Sequence, residues 1–115
     1  MRWPIWILSV FEKILPPRQL VVAVGDALPA KLPRRNLVLL QDCGEDWSIG
    51  MRCPCGCGQP IELALIPEAT PRWKYQVDSN NAPTLTPSVW LREGCRSHFF
   101  LRRGRVDWIR PTRKH

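Results

Sequence analysis

Three cysteines within five residues, Cys53, Cys55 and Cys57 of the run CPCGCG, are followed downstream by a second pair of soft donors, Cys95 and His98 of CRSH. Thiolate and imidazole are the donors that zinc takes, at about 2.3 and 2.0 Å, and a closed tetrahedral site needs four of them. Two loops brought face to face, each offering donors a few residues apart, close such a site, and iron–sulfur clusters use the same pairing. Cys95-x-x-His98 has the spacing of a zinc knuckle. In the first cluster Cys53 with Cys57 gives the widest bite, while Cys53 with Cys55 or Cys55 with Cys57 would also chelate. The expectation is four ligands out of these five: two of the three clustered cysteines, with Cys95 and His98. Zinc is the expected ion, with an iron–sulfur cluster as the alternative.

A donor set this full points to a closed, structural site, because a catalytic zinc keeps one position open. With His98 on the metal, His115 is the other histidine, and most Ser–His and Cys–His schemes lose their base. Ser88, after Pro87, is the most noticeable hydroxyl, and it reads as a strand-edge serine. The spare thiol of the first cluster is the other nucleophile to weigh, since a nearby metal or cation favours the thiolate. The residues lean away from an enzyme, and no catalytic residue is assigned.

The elements that must position these donors are short strands. Leu20–Val24 and Leu37–Leu40 are apolar and rich in β-branched residues. Trp47–Arg52 alternates and runs into the first cluster, and Ile61–Ile66 leaves it with Ile61, Leu63 and Leu65 on one face. Trp73, Tyr75 and Val77 alternate again. Pro87 interrupts Leu85–Leu91, which predicts an edge strand or a bulge. Phe99–Leu101, a turn at Arg102-Arg103-Gly104, and Val106–Ile109 predict a hairpin. Twelve prolines scattered through the chain fit short strands and argue against long helices. At the N-terminus Trp3, Ile7, Val10 and Ile14 recur at helical spacing until Pro16-Pro17. The predicted fold is small and all-β, with two metal-binding β-hairpins, Rieske-like or zinc-ribbon-like, and a short N-terminal helix. Its parts are an apolar helix or docking segment at 1–19, a metal-binding β domain at 20–110 and a basic tail at 111–115.

The 115 residues fit one domain, and a core of that size gains from a bound metal. An odd cysteine count with a C-x-C-x-C run fits metal ligation in a reducing compartment better than a disulfide framework. Glu12 and Lys13 interrupt the apolar N-terminal run, which is too short to span a bilayer and has no small-x-small cleavage site. A cytoplasmic protein is therefore expected, and no membrane partner. The net charge of +7 allows an acidic partner. Arg102, Arg103, Arg105, Arg110, Arg113 and Lys114 lie close to Trp90, Phe99 and Trp108, a pattern that would suit nucleic acid.

CRSHFFLRRGRV is similar to the second ligand box of Rieske proteins, but Cys55-x-Cys57 has cysteine where the first box has histidine, and a Rieske centre needs two histidines. The whole pattern is more specific. CPCGCG, Trp73, PTLTPSV from Pro83 to Val89 and CRSHFFLRRGRVDW from Cys95 to Trp108 resemble a small prokaryotic and phage metal-binding family. That family has a CPCGCG, PTL-x-PS and C-x-x-H-F/Y signature. The resemblance covers about residues 37–109. Some members are encoded beside bacterial ubiquitin-like conjugation genes, for a modifier with E1-, E2- and JAB-peptidase-like proteins. The resemblance implies a zinc-binding accessory or adaptor protein with protein partners in such a pathway, and it carries no activity over. The alternatives are a nucleic-acid-binding zinc module and a Rieske-like iron–sulfur electron-transfer protein.

Overall fold

Prolines bound the helix. In the computed structural model, which describes residues 3–91 and 93–109, α1 spans Ile5–Ile14. It follows Pro4, whose missing N–H costs nothing at a helix start, and gives way to extended backbone at Leu15 before Pro16. Leu8 and Glu12, one turn apart, face inward, whereas Trp6, Val10 and Ile14 face outward. No helix among the described residues is long and apolar enough to cross a membrane.

Among the described residues the remaining elements are nine short strands: β1 (Leu20–Val24), β2 (Leu37–Asp42), β3 (Glu45–Arg52), β4 (Pro60–Ala64), β5 (Lys74–Val77), β6 (Pro83–Thr86), β7 (Val89–Trp90), β8 (His98–Arg102) and β9 (Arg105–Trp108). They form a four-stranded sheet in the order β1-β2-β3-β4, a β5-β6 ribbon and a three-stranded sheet in the order β7-β8-β9. All of these pairings are antiparallel except β1 with β2. That parallel pair needs the long connection through residues 25–36, where Leu32 is buried.

One apolar core joins the sheets. Leu37 and Leu39 of β2, Ile49 and Met51 of β3, and Ile61 and Leu63 of β4 meet Leu85, Val89, Phe99, Leu101 and Val106. The alternation in β4 and β8 places every second residue inward, as a sheet with one solvated face requires. Cys53 and Cys55 belong to this same core. The structure is thus a small, mostly-β fold with one short helix and several sheets.

Pro87 splits the run Leu85–Leu91 into β6 and β7, which enter different sheets, and leaves Ser88 between them. On the other side of β8, the β9 strand is clamped by α1. Glu12 Oε1 accepts from the Val106 N–H at 2.8 Å, and its two oxygens accept from Arg18 at 2.7 and 2.8 Å. Arg105 donates to the Glu12 and Leu15 carbonyls. Gly104, in the β8–β9 turn, lies so close that an added Cβ would sit 2.4 Å from the Arg18 carbonyl oxygen.

Candidate metal centre and serine–histidine pair

The turn between β3 and β4 carries the first cysteine cluster. Its base is closed by the Cys53 N–H donating to the Gln59 carbonyl at 2.8 Å. Within it Gly56 has φ +95°, a left-handed value that favours glycine, and an added Cβ would meet the Trp3 indole at 2.4 Å. Trp3 also donates its N–H to the Cys55 carbonyl at 3.0 Å, so the segment before α1 lies against this turn.

The loop between β7 and β8 carries Cys95. It is closed by the Leu91 N–H donating to the Ser97 carbonyl at 2.9 Å. Together the two loops place the sulfurs of Cys53, Cys55, Cys57 and Cys95 within 4.8 Å of one another. Cys53 Sγ is 3.4 Å from Cys55 Sγ and 3.5 Å from Cys95 Sγ. Four thiolates around a tetrahedral zinc at about 2.3 Å would stand about 3.8 Å apart, so a small adjustment of these loops would seat an ion. The donor set therefore fits a metal ion, and it comes from both predicted loops.

The electrostatics of the four thiols are uneven. Burial pushes the Cys53 thiol up, and it does the same to Cys57. Cys95 goes the other way: burial opposes its thiolate, but hydrogen bonds from the Ser97 hydroxyl and backbone N–H, with those of Cys53 and Cys55, bring it down to about 6. Ser97 is fully buried and its Oγ lies 3.1 Å from Cys95 Sγ and 3.5 Å from Cys53 Sγ. A cation would supply the charge that the remaining thiols need to deprotonate.

His98, expected beside Cys95 on the metal, occupies a different place. Its Nε2 is 3.0 Å from Ser88 Oγ. The pair forms at the base of the β7–β8 hairpin, because the antiparallel register sets Trp90 opposite His98 and Ser88 just precedes β7. The Ile109 N–H donates to the His98 carbonyl at 2.9 Å and ties this residue to the end of β9. Trp90 stacks on the imidazole, with ring centres 4.9 Å apart and planes 13° from parallel. A hydroxyl within hydrogen-bond reach of an imidazole is the geometry of a base-activated nucleophile. Ser97 links the cysteine cluster to this pair: it touches two of the sulfurs and directly precedes His98.

Sequence reasoning leaves Ser88 without a role, because it assigns the histidine to the metal. The signal that could have freed His98 is the cysteine count, since Cys53, Cys55, Cys57 and Cys95 would by themselves supply four donors. Cys43 stands apart, exposed at the β2–β3 turn.

Of the arginines expected to suit nucleic acid, Arg102 and Arg105 engage the protein itself through their side chains. Arg102 pairs with Asp107 at 2.9 Å and lies over the Phe100 ring, and Arg105 caps carbonyls at the end of α1. Arg103, exposed in the β8–β9 turn, donates its N–H to Thr84 Oγ1. Phe99 is wholly buried, leaving Trp90 as the exposed aromatic among Trp90, Phe99 and Trp108. Arg110, Arg113, Lys114, His115 and the basic tail at 111–115 lie outside the described residues.

No match was found among curated proteins or solved structures. A family model described as bacterial ubiquitination-like system serine protease (BubE) matches residues 24–109. The matched span takes in all four clustered cysteines, Ser88 and His98, and leaves α1 outside. Over most of its length, and with both of these sites inside the match, the chain belongs to the BubE family.

Proposed function

We propose that this protein is a serine hydrolase of a bacterial ubiquitin-like pathway, with Ser88 as nucleophile, His98 as general base, and a structural zinc on Cys53, Cys55, Cys57 and Cys95. The observation that carries this reading is the 3.0 Å contact between Ser88 Oγ and His98 Nε2. The description of the family supports it. The substrate class that fits is the acyl group at the C-terminus of a ubiquitin-like modifier, joined to a further residue or to a conjugated amine.

With His98 in the tautomer that carries its proton on Nδ1, the Ser88 hydroxyl donates to Nε2. As Oγ attacks the scissile carbonyl carbon, Nε2 takes the hydroxyl proton and then delivers it to the departing amine. Water attacks the acyl-Ser88 ester as Nε2 takes one of its protons, and Nε2 then returns that proton to Ser88 Oγ as the C–O bond breaks and the carboxyl group leaves. A bound zinc would neutralise the thiolates and hold the β3–β4 turn against the β7–β8 loop. That would fix the loop from which His98 emerges.

Incubating the protein with a ubiquitin-like modifier from such a pathway, extended at its C-terminus, tests the reading. Cleavage at the modifier's terminus that Ser88→Ala and His98→Ala abolish is the expected outcome. Equal cleavage by both variants, or none by the zinc-loaded wild type on modifiers of this class, would refute it. An adaptor role is favoured by one separate observation, the outward apolar residues Trp6, Val10 and Ile14 of α1. Capture of a pathway protein that is lost on changing these three to serine would establish it.

A further inference from the structure

We propose that Trp90 is the positioning residue of the serine–histidine pair, holding the imidazole plane so that Nε2 stays on Ser88. This rests on the hydrolase reading of that pair. An imidazole turns about the bond to its Cβ, and only a narrow range of that rotation keeps Nε2 at hydrogen-bond distance from Oγ. The ring lies nearly parallel to the indole, at 13° and 4.9 Å between centres. Turning the imidazole out of line with Ser88 would lose this stack. The contact is built into the backbone, because Trp90 and His98 are directly opposite in the antiparallel register, where side chains on one face are neighbours. Trp90 is 52% exposed, so its indole contributes little to the core.

The indole has a second consequence. When Ser88 gives up its proton, His98 becomes an imidazolium, and the electron-rich face of tryptophan attracts a cation held over it. The stack is therefore stronger in the transition state than in the ground state, which is the condition for raising a rate rather than an affinity.

A fluorophosphonate probe reads the effect without knowledge of the natural substrate. Ser88 Oγ bonds to phosphorus, fluoride leaves, and the hydroxyl proton passes to His98 Nε2. Labelling at several probe concentrations separates the limiting rate from the apparent affinity. Trp90→Ala is expected to lower the limiting rate about two- to fivefold, the scale of a solvent-exposed cation–π contact, with affinity unchanged within experimental error. Trp90→Phe, which keeps a ring, should recover most of the rate, and Trp90→Leu, which keeps only bulk, should not. The His98 ring protons should show the upfield ring-current shift of a stacked imidazole in wild type and Trp90→Phe, and lose it in Trp90→Ala.

A Trp90→Ala protein that labels at the wild-type limiting rate overturns the proposal. So does an effect on affinity alone, a Leu variant that matches wild type, or an unshifted His98 resonance in the wild type. Undiminished labelling of Ser88→Ala or His98→Ala would instead overturn the underlying hydrolase reading, so the two failures are distinguishable.

Discussion

Replacing Glu12 by alanine should loosen α1 from the β8–β9 hairpin. The Glu12 and Arg18 side chains are only 10% and 5% exposed, and they meet through two contacts of 2.7 and 2.8 Å. Glu12 also satisfies the Val106 N–H. Removing one partner of a buried pair leaves the other charge without compensation and costs about 3–5 kcal/mol. At about 1.4 kcal/mol per factor of ten, that is a change of at least a hundredfold in the equilibrium that keeps this region ordered. Glu12→Leu combined with Arg18→Met removes both charges and should lose less than Glu12→Ala alone, because only the Val106 N–H and its neighbours are left without a partner.

The pair also sets a pH dependence. Burial alone would raise the Glu12 carboxyl, but the hydrogen bonds and charge of Arg18, the Val106 N–H and the charge of Arg35 outweigh it and hold the group below its ordinary value. A carboxyl depressed in the folded state stabilises it fully above the unfolded value of about 4.3. That contribution fades as pH falls through the folded value. Urea denaturation gives the global cost, and hydrogen exchange of the α1 amides gives the local one. A Glu12→Ala protein within about 0.5 kcal/mol of wild type, as for a surface change, would refute the clamp. Equal α1 protection at pH 3 and pH 7 would contradict its charge.

Three further outcomes are expected. Protein purified without chelator should carry one zinc per chain and no iron or sulfide, by elemental analysis; a brown preparation with stoichiometric iron would replace zinc by a cluster at the same cysteines. Stripping the zinc, or Cys55→Ser in the core, should unfold the two metal loops and abolish fluorophosphonate labelling of Ser88, because structural zinc contributes to folding directly; labelling that survives in metal-free protein would uncouple the centre from His98. Gly104→Ala should lower the melting temperature by at least about 5 °C, since the position has φ +75° and the new Cβ would stand 2.4 Å from the Arg18 carbonyl oxygen; an unchanged melt would show that this turn can shift.

Much of the architecture is legible along the chain because it depends on local periodicity. Alternation marks β3, β4 and the β8–β9 hairpin, and Pro16-Pro17 marks the end of α1. Pro87 marks a break, though not that the strands on either side of it enter different sheets. Cysteine spacing marks the two loops whose four thiols the fold gathers where they could hold a metal ion, and the resemblance places the chain beside ubiquitin-like conjugation, a link that holds at the level of the family. What is not legible depends on register and burial. Ser88 and His98 are ten positions apart and meet only because β7 pairs with β8 at Trp90 and His98. Glu12 reads as a polar interruption of an apolar run, whereas it is the buried end of an ion pair. The strand read at Trp47–Arg52 begins two residues earlier, at Glu45, and Asp46 within it accepts from Gln41 and Tyr75.

The most direct test of the central claim is the site of covalent labelling. Zinc-loaded protein treated with a fluorophosphonate and digested should give one adduct, by mass spectrometry, on the peptide that carries Ser88, and His98→Ala should lose it. An adduct on another residue, or no adduct on active protein that cleaves its modifier, would contradict a serine nucleophile at this position.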